Sequence, residues 1–293
     1  MLDYSMRYPE WLKKPIPKNA NNLHIRKYLA ESLHTVCEAA LCPNRGECFA
    51  KKTVTFLILG EACTRRCRFC AVTQGSPQPV DPDEAQKIAA AARRLELQHV
   101  VITSVTRDDL PDGGAGHFAA VVTAVRMELP AAAIEILTPD FQGDITALKK
   151  ALSAKPDVFN HNVETVPRLY AEIRPQANYR RSLSVLQNAK QITGPNILTK
   201  SGLMLGLGET ADEIRAVLRD LKDSGVDIVT LGQYLAPSQK HYPVRKFIPP
   251  AGFAEYKEYG EKELGFRAVF AGPLVRSSYM AGEVYAATGC GKK

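Results

Sequence analysis

The 293-residue sequence has no apolar run that approaches a membrane span; the longest, Phe56–Gly60 with its flanks, is strand-sized. Residues Met1 to Lys18 mix acids, bases and three prolines. They have neither the apolar core of a secretory signal nor the acid-poor character of a transit peptide. A cytoplasmic protein with no membrane partner is expected, and in that compartment clustered cysteines serve as metal ligands rather than disulfides. The net charge is +7, yet there is no zinc-finger Cys/His spacing, no RNP-type aromatic motif and no long basic run, so nucleic acid is not an expected partner. The densest basic group is Arg65, Arg66 and Arg68, whose charge would offset an anionic cluster and also suit an acidic protein. Internal repeats and low-complexity stretches are absent, and His24, His99, His117 and His241 show no metal-like pairing.

What the chain does have is cysteine in one place. Six of its seven cysteines lie within residues 37–70, as Cys37-x4-Cys42-x5-Cys48 and Cys63-x3-Cys67-x2-Cys70. Three thiolates as tightly spaced as the second triplet can hold three corners of a four-iron, four-sulfur cube. One iron is then left open, whereas an electron-transfer cluster normally has four cysteines. An open iron can bind a cofactor, pass it an electron and begin radical chemistry. A zinc loop would need a fourth ligand, and none follows Cys70 closely. The first triplet is looser, with Pro43 and Gly46 bending the loop between its cysteines. Taken alone it suits either a structural staple or a functional cluster.

Residues 51 to about 265 alternate short Val/Ile/Leu-rich segments (Val54–Leu59, Val100–Ser104, Ala133–Leu137, Val158–Asn162, Leu198–Leu205, Ile228–Gln233) with helical patterns (Asp83–Leu95, His117–Leu129, Ile145–Leu152, Ser182–Ile192, Thr210–Asp223). Doubly buried strands and βαβ alternation predict an α/β fold with a parallel sheet. Six strands fall short of a closed eight-stranded barrel, so the expectation is a partial (β/α)6 TIM-type barrel, with an open sheet as the alternative. It is flanked by an irregular N-terminal arm, residues 1–50, with one helix over Leu23–Glu38, and by a C-terminal tail, residues 266–293. Cys63 follows the first strand after three residues, which puts the second triplet at the C-terminal rim where such folds place their chemistry.

Cys63-x3-Cys67-x2-Cys70, with Phe69 before the last cysteine, resembles the signature of the radical S-adenosylmethionine enzymes. The two triplets together resemble the lipoyl synthase family. Matching segments run through nearly the whole chain: Cys42-Pro-Asn-Arg-Gly-Glu-Cys48, Arg107-Asp-Asp-Leu-Pro-Asp-Gly-Gly-Ala-Gly116, His161-Asn-Val-Glu-Thr165, Arg174-Pro-Gln176, Lys200-Ser-Gly-Leu-Met-Leu-Gly-Leu-Gly-Glu209, Gly232-Gln-Tyr-Leu235 and Arg276-Ser-Ser-Tyr279. Thr106 departs from the family, which usually has Asp before Arg107. The resemblance implies two [4Fe-4S] clusters and S-adenosyl-L-methionine as cofactors. It also implies insertion of two sulfur atoms, at carbons 6 and 8, into an octanoyl group on a carrier lysine. The radical cluster would sit on Cys63, Cys67 and Cys70. The auxiliary cluster, on Cys37, Cys42, Cys48 and a tail serine, would be the consumed sulfur donor. Ser278 is preferred over Ser277, with Cys290 as a softer rival close to the chain end. Implied partners are an octanoylated lipoyl carrier domain or glycine-cleavage H-type protein, an electron donor such as flavodoxin or ferredoxin, and an iron–sulfur cluster carrier.

At the end of the fourth strand, Asn162 and Glu164 can meet ribose hydroxyls or, with Thr165, form a helix cap; the family's cofactor site favours binding. Arg174 suits a bidentate contact to the methionine carboxylate or a surface ion pair. Gly206-x-Gly208-x-x-Ala211 imitates a dinucleotide fingerprint but falls on the fifth strand, and suits a tight turn and close approach beneath the cofactor. Asp112–Gly116 reads as a turn, or as a rim loop touching cofactor or acyl chain. The rivals to this assignment are a two-cluster enzyme acting on a free small molecule or RNA, and a non-catalytic iron–sulfur carrier or sensor.

Overall fold

The structure, a computed structural model, describes residues 8–13, 33–51 and 53–290. One sheet organises them. Its strands are β1 (His34–Thr35), β2 (Thr55–Ile58), β5 (His99–Ser104), β6 (Ala133–Leu137), β7 (Val158–Asn160), β8 (Leu198–Leu205), β9 (Ile228–Gln233) and β10 (Ala268–Gly272), adjacent in that order; β3 (Ala62–Cys63) and β4 (Thr73–Gln74) form a separate pair beside the second triplet. From β2 to β10 every neighbouring pair is parallel, while β1 joins β2 antiparallel. The two edges, β1 and β10, are not bonded to each other, so the sheet is an open, partial barrel. It holds seven parallel strands rather than six, because Ala268–Gly272, assigned from sequence to the tail, pairs with β9.

The helices are α1 (Val36–Ala39), α2 (Arg45–Ala50), α3 (Glu84–Arg94), α4 (Ala115–Glu128), α5 (Ile145–Leu152), α6 (Tyr170–Ile173), α7 (Tyr179–Thr193), α8 (Ala211–Asp223), α9 (Pro250–Glu258) and α10 (Ala281–Ala287). Helix α8 shows why they form. Thr210 and Glu213 make a reciprocal capping box at its start, and Ile214, Val217, Leu218 and Leu221 bury one helical stripe against the sheet. The helix expected over Leu23–Glu38 lies mostly outside the described residues. Within them, His34–Thr35 is strand, and the arm is less irregular than expected because β1, α1 and α2 follow in quick succession.

The barrel interior is tiered. At the bottom, Val158, Leu198 and Ile228 pack on Val284 of α10, which also touches β5 and β10 and so fills the open side. Above them, Lys200 Nζ meets Glu135 at 2.8 and 3.0 Å, and Asn160 Nδ2 donates to the same carboxylate at 3.0 Å. Burial would raise the Glu135 carboxyl, but Lys200 outweighs it and holds it down at about 2. Paired in this way, two buried charges are tolerated beneath the rim. The third tier is a cavity.

Candidate active site

The cavity is about 620 Å³ and opens at the C-terminal ends of the strands. All six clustered cysteines line it. So do Phe69, Asn162, Glu164, Arg174, Ser277 and Ser278, so every residue singled out for the site faces one space. Cys290 does not; it is exposed beyond α10, whose Tyr285 stacks on His99 at 5.7 Å at the opposite end of the barrel.

The second triplet is built into the barrel rim. Its loop leaves β2 through Leu59, a left-handed residue whose N–H donates to Glu84 at 3.0 Å and whose carbonyl accepts from Arg107 at 3.1 Å. Cys63 Sγ accepts backbone N–H groups from Arg65 at 3.4 Å and Thr106 at 3.3 Å. Thr106 therefore contributes its backbone, which any residue there would supply. Arg65 is the anchor: it forks onto Asp108 at 2.7 and 2.9 Å and reaches Asp140 at 2.5 Å. Burial would raise the Asp140 carboxyl, but its hydrogen bond and charge pairing with Arg65 prevail and hold it at about 2. The three neighbouring arginines are thus unlike one another. Only Arg65 lines the cavity, with its charge already matched by two carboxylates, while Arg66 and Arg68 are exposed.

The first triplet is arranged differently. Cys37 sits on α1, Cys48 on α2, and Cys42 on the turn between them, where its N–H donates to the Cys37 carbonyl at 3.1 Å. Long-range bonds fasten this unit to the C-terminal segment, among them Asn44 Nδ2 to the Leu274 carbonyl at 2.6 Å, Tyr279 OH to Glu47 at 3.0 Å, and Lys51 to Met280 and Glu283. Between those ties lie Arg276, Ser277 and Ser278. A Cβ on Gly232 would fall 2.0 Å from the Val275 carbonyl, so only glycine lets the tail cross so close to β9. Sequence reasoning gave Arg276 no role, yet its guanidinium lines the cavity and donates to the Val275 carbonyl at 2.7 Å. Its place directly before Ser277 and Ser278 was the available signal.

Burial raises the thiols on both sides, Cys37 to about 11, Cys70 to about 12, and Cys67 in the same direction. Such thiols are held protonated until a metal displaces the proton. Among the described residues no His, Cys, Asp or Glu group is arranged for a single metal ion. The wall beside the second triplet, where Arg174 lies against Cys67, carries unused polar atoms: among the described residues Asn162 Oδ1 and Arg174 Nε are buried without a hydrogen-bond partner. Asn162 Nδ2 donates to Glu164 at 3.1 Å, and burial raises the Glu164 carboxyl. Arg174 is buried and not on the surface; one end of its guanidinium is spent on the Asn162 and Val163 carbonyls at 3.2 and 3.0 Å, with Nε left over. His161 also lines the cavity with both ring nitrogens engaged, by the Thr138 carbonyl at 2.9 Å and Ser182 Oγ at 3.0 Å. Burial lowers it to about 4, so it is neutral.

Two expectations are corrected. The Gly206–Gly208 turn packs on the Lys246 carbonyl, 2.3 Å from where a Gly206 Cβ would stand, and lies outside the cavity rather than beneath a cofactor. The Asp112–Gly116 loop likewise lies outside the cavity; Asp112 accepts from Gly114 N–H and Gly116 N–H, both at 3.0 Å, and pairs with Lys150. It is a helix-starting turn.

Residues 57–221 match the model of the Radical SAM superfamily. Over 278 residues the chain is 54% identical to a lipoyl synthase of Caldanaerobacter subterraneus subsp. tengcongensis, covering 94% of this chain and 96% of that one. It is 55% identical over 276 residues to a lipoyl synthase of Caldicellulosiruptor saccharolyticus, covering 94% and 96%. Among solved structures, the FeFe-hydrogenase maturase HydG from Carboxydothermus hydrogenoformans superposes with a TM-score of 0.58 at 15% identity, over 86% of this chain and 65% of that one, a likeness of fold alone.

Proposed function

The chain belongs to the lipoyl synthase family of sulfur-inserting enzymes, within the Radical SAM superfamily, and from that premise we propose how its residues divide the work. It inserts two sulfur atoms, at carbons 6 and 8, into an octanoyl group carried on a lysine of a lipoyl domain or H-type protein. The observation that carries this reading is that both triplets and the tail serines face one cavity. Six free thiols, two orphaned buried polar atoms and a space of about 620 Å³ fit two [4Fe-4S] clusters and S-adenosyl-L-methionine.

When bound, the cluster groups supply an electron for cofactor cleavage to a 5′-deoxyadenosyl radical on one side and sulfur on the other. Cys63, Cys67 and Cys70 hold the first of them, with Phe69 as part of the cofactor wall. Asn162 and Glu164 receive ribose hydroxyls, and Arg174 turns its remaining donors to the methionine carboxylate. Cys37, Cys42 and Cys48 hold the second, with Ser278 as the oxygen ligand and Ser277 the alternative. The largely apolar lining of Leu137, Met204 and Leu235 receives an acyl chain and keeps water from a radical. Residues 1–50 serve as the auxiliary-ligand arm, 51–272 as the radical barrel, which includes β10, and 273–293 as the segment bringing the serine. Among the described residues no helix is long and apolar enough to cross a membrane, which suits an enzyme working in the cytoplasm with a soluble electron donor, flavodoxin or ferredoxin, and a cluster carrier.

The test is mass spectrometry of an octanoylated carrier domain after anaerobic incubation with the loaded protein, S-adenosyl-L-methionine and reductant. Two added sulfurs are expected. A carrier unchanged while 5′-deoxyadenosine accumulates would point to a different substrate, and no 5′-deoxyadenosine at all would refute the radical reading.

A further inference from the structure

The cysteine loop has two faces. Cys63, Arg65, Cys67, Phe69 and Cys70 line the cavity, whereas Arg66 and Arg68 do not and are exposed to solvent. The segment after β9 is laid along that outer side. Tyr242 N–H donates to the Arg68 carbonyl at 2.8 Å, and His241 Nε2 meets the Cys70 carbonyl at 3.2 Å. The Tyr242 ring carries the Arg68 guanidinium at 5.4 Å and the Arg245 guanidinium at 5.5 Å. Lys240 and Lys246, on the same segment, are exposed too.

The charge there is not balanced internally. Arg68 shares Glu172 at 3.5 Å, but among the described residues Arg66, Lys240, Arg245 and Lys246 have no carboxylate within ion-pair distance. Elsewhere on this loop the fold does neutralise arginine, since Arg65 receives two carboxylates. The exposed cations are therefore not needed to hold the loop. Two guanidinium groups gathered on one tyrosine ring repel each other, and an anionic surface laid over them would attract both and offset that repulsion.

We propose that this face, directly behind Cys67 and Cys70, is the docking surface for an acidic one-electron carrier protein, which delivers electrons through the back of the loop while the substrate occupies the cavity. The proposal rests on the function proposed above, which requires one electron for each S-adenosylmethionine cleaved. The reduced carrier gives up one electron, the cluster on Cys63, Cys67 and Cys70 accepts it, no bond is made or broken in the transfer, and the oxidised carrier departs. Tyr8 and Leu41 line the cavity yet are exposed, and Tyr8 packs edge-on against Phe247 at 5.8 Å, so the mouth borders the far end of this segment while Arg66 and Lys240 lie outside the cavity lining.

The probe is reduced flavodoxin mixed anaerobically with the fully loaded protein, with loss of cluster absorbance followed by stopped flow. For the Arg66→Glu/Lys240→Glu protein at low salt, reduction by flavodoxin is expected to slow by about tenfold or more. The gap should close at high salt as screening removes the steering. Reduction by dithionite and the KM for an octanoylated carrier domain should stay at wild-type values, and Arg66→Lys/Lys240→Arg should restore the flavodoxin rate. An unchanged flavodoxin rate would overturn the proposal. So would an equal slowing with dithionite, which would mean the charges act on the cluster, or a raised carrier KM, which would assign the face to the substrate. Dithionite-driven sulfur insertion by the same variant separates failure of this proposal from failure of the functional reading.

Discussion

The two cysteine triplets face the same cavity, but the chain fastens them by different means. Cys63–Cys70 springs from β2, the first parallel strand, and its anchor, Arg65, is 5% exposed and binds Asp108 and Asp140, the latter 1% exposed. Cys37–Cys48 is carried by helices of 4 and 6 residues. These join the rest through a two-residue edge strand, through Phe49, which α2 buries in the main core, and through side-chain bonds to the C-terminal segment that include Asn44 to Leu274 and Tyr279 to Glu47. Helices that short have no stability of their own. Under the proposed division of work, the ligand set that would survive every turnover is held by buried ion pairs, and the one that would be emptied and refilled sits on short helices pinned by Phe49 and a few side-chain bonds.

The sharpest way to break this comparison is to remove one thiol from each side. Cys63→Ala should abolish 5′-deoxyadenosine formation, while Cys37→Ala should keep it and lose sulfur insertion entirely, read by chromatography of the nucleoside and mass spectrometry of the carrier. Next in size is the anchor. Arg65→Ala removes the shorter ion pair of buried Asp140 and leaves it only Arg181 at 3.3 Å, so denaturant unfolding of the metal-free protein should show a loss of about 3 kcal/mol; a loss under about 1 kcal/mol would mean the loop is held by something else.

A pH dependence sharpens the same side. His161 lies beside the Arg65 network with its pKa lowered by burial from 6.5 to about 4. As pH falls through that window the unfolded chain binds a proton that the folded one refuses, so stability present at neutral pH is lost. Wild type should lose about 3 kcal/mol more than His161→Gln between those two values. Parallel curves would contradict the neutral assignment. The smallest effect belongs to the other triplet. Tyr279→Phe removes one bond to Glu47 and should cost about 1 kcal/mol, yet it should speed loss of iron from the Cys37–Cys48 side and leave the other side unaffected.

Much of the frame was legible because its cues are local. Ala133–Leu137, Leu198–Leu205 and Ile228–Gln233 read directly as doubly buried strands. The seventh parallel strand escaped because Ala268–Gly272 has three small residues in five and follows a helix that opens with Pro249-Pro250, so neither signals an α/β repeat. The two triplets could be read as ligand sets from spacing alone, but their sharing of one cavity could not. Residue 44 meets residue 274 only through the order in which strands join, and no periodicity records that. Arg65, Arg66 and Arg68 read alike as sequence; burial made the first an anchor and left the others on the surface.

The account stands on the claim that one triplet persists while the other is spent. The most direct test is to load the protein with heavy-isotope sulfide, allow turnover without resupply, and measure the isotope in the lipoyl product together with the iron that remains bound. The account predicts that both inserted sulfurs are heavy and come from the same chain, with iron retained on the Cys63–Cys70 side and lost from the Cys37–Cys48 side. Light sulfur in the product, or full retention of iron on both sides, would contradict it.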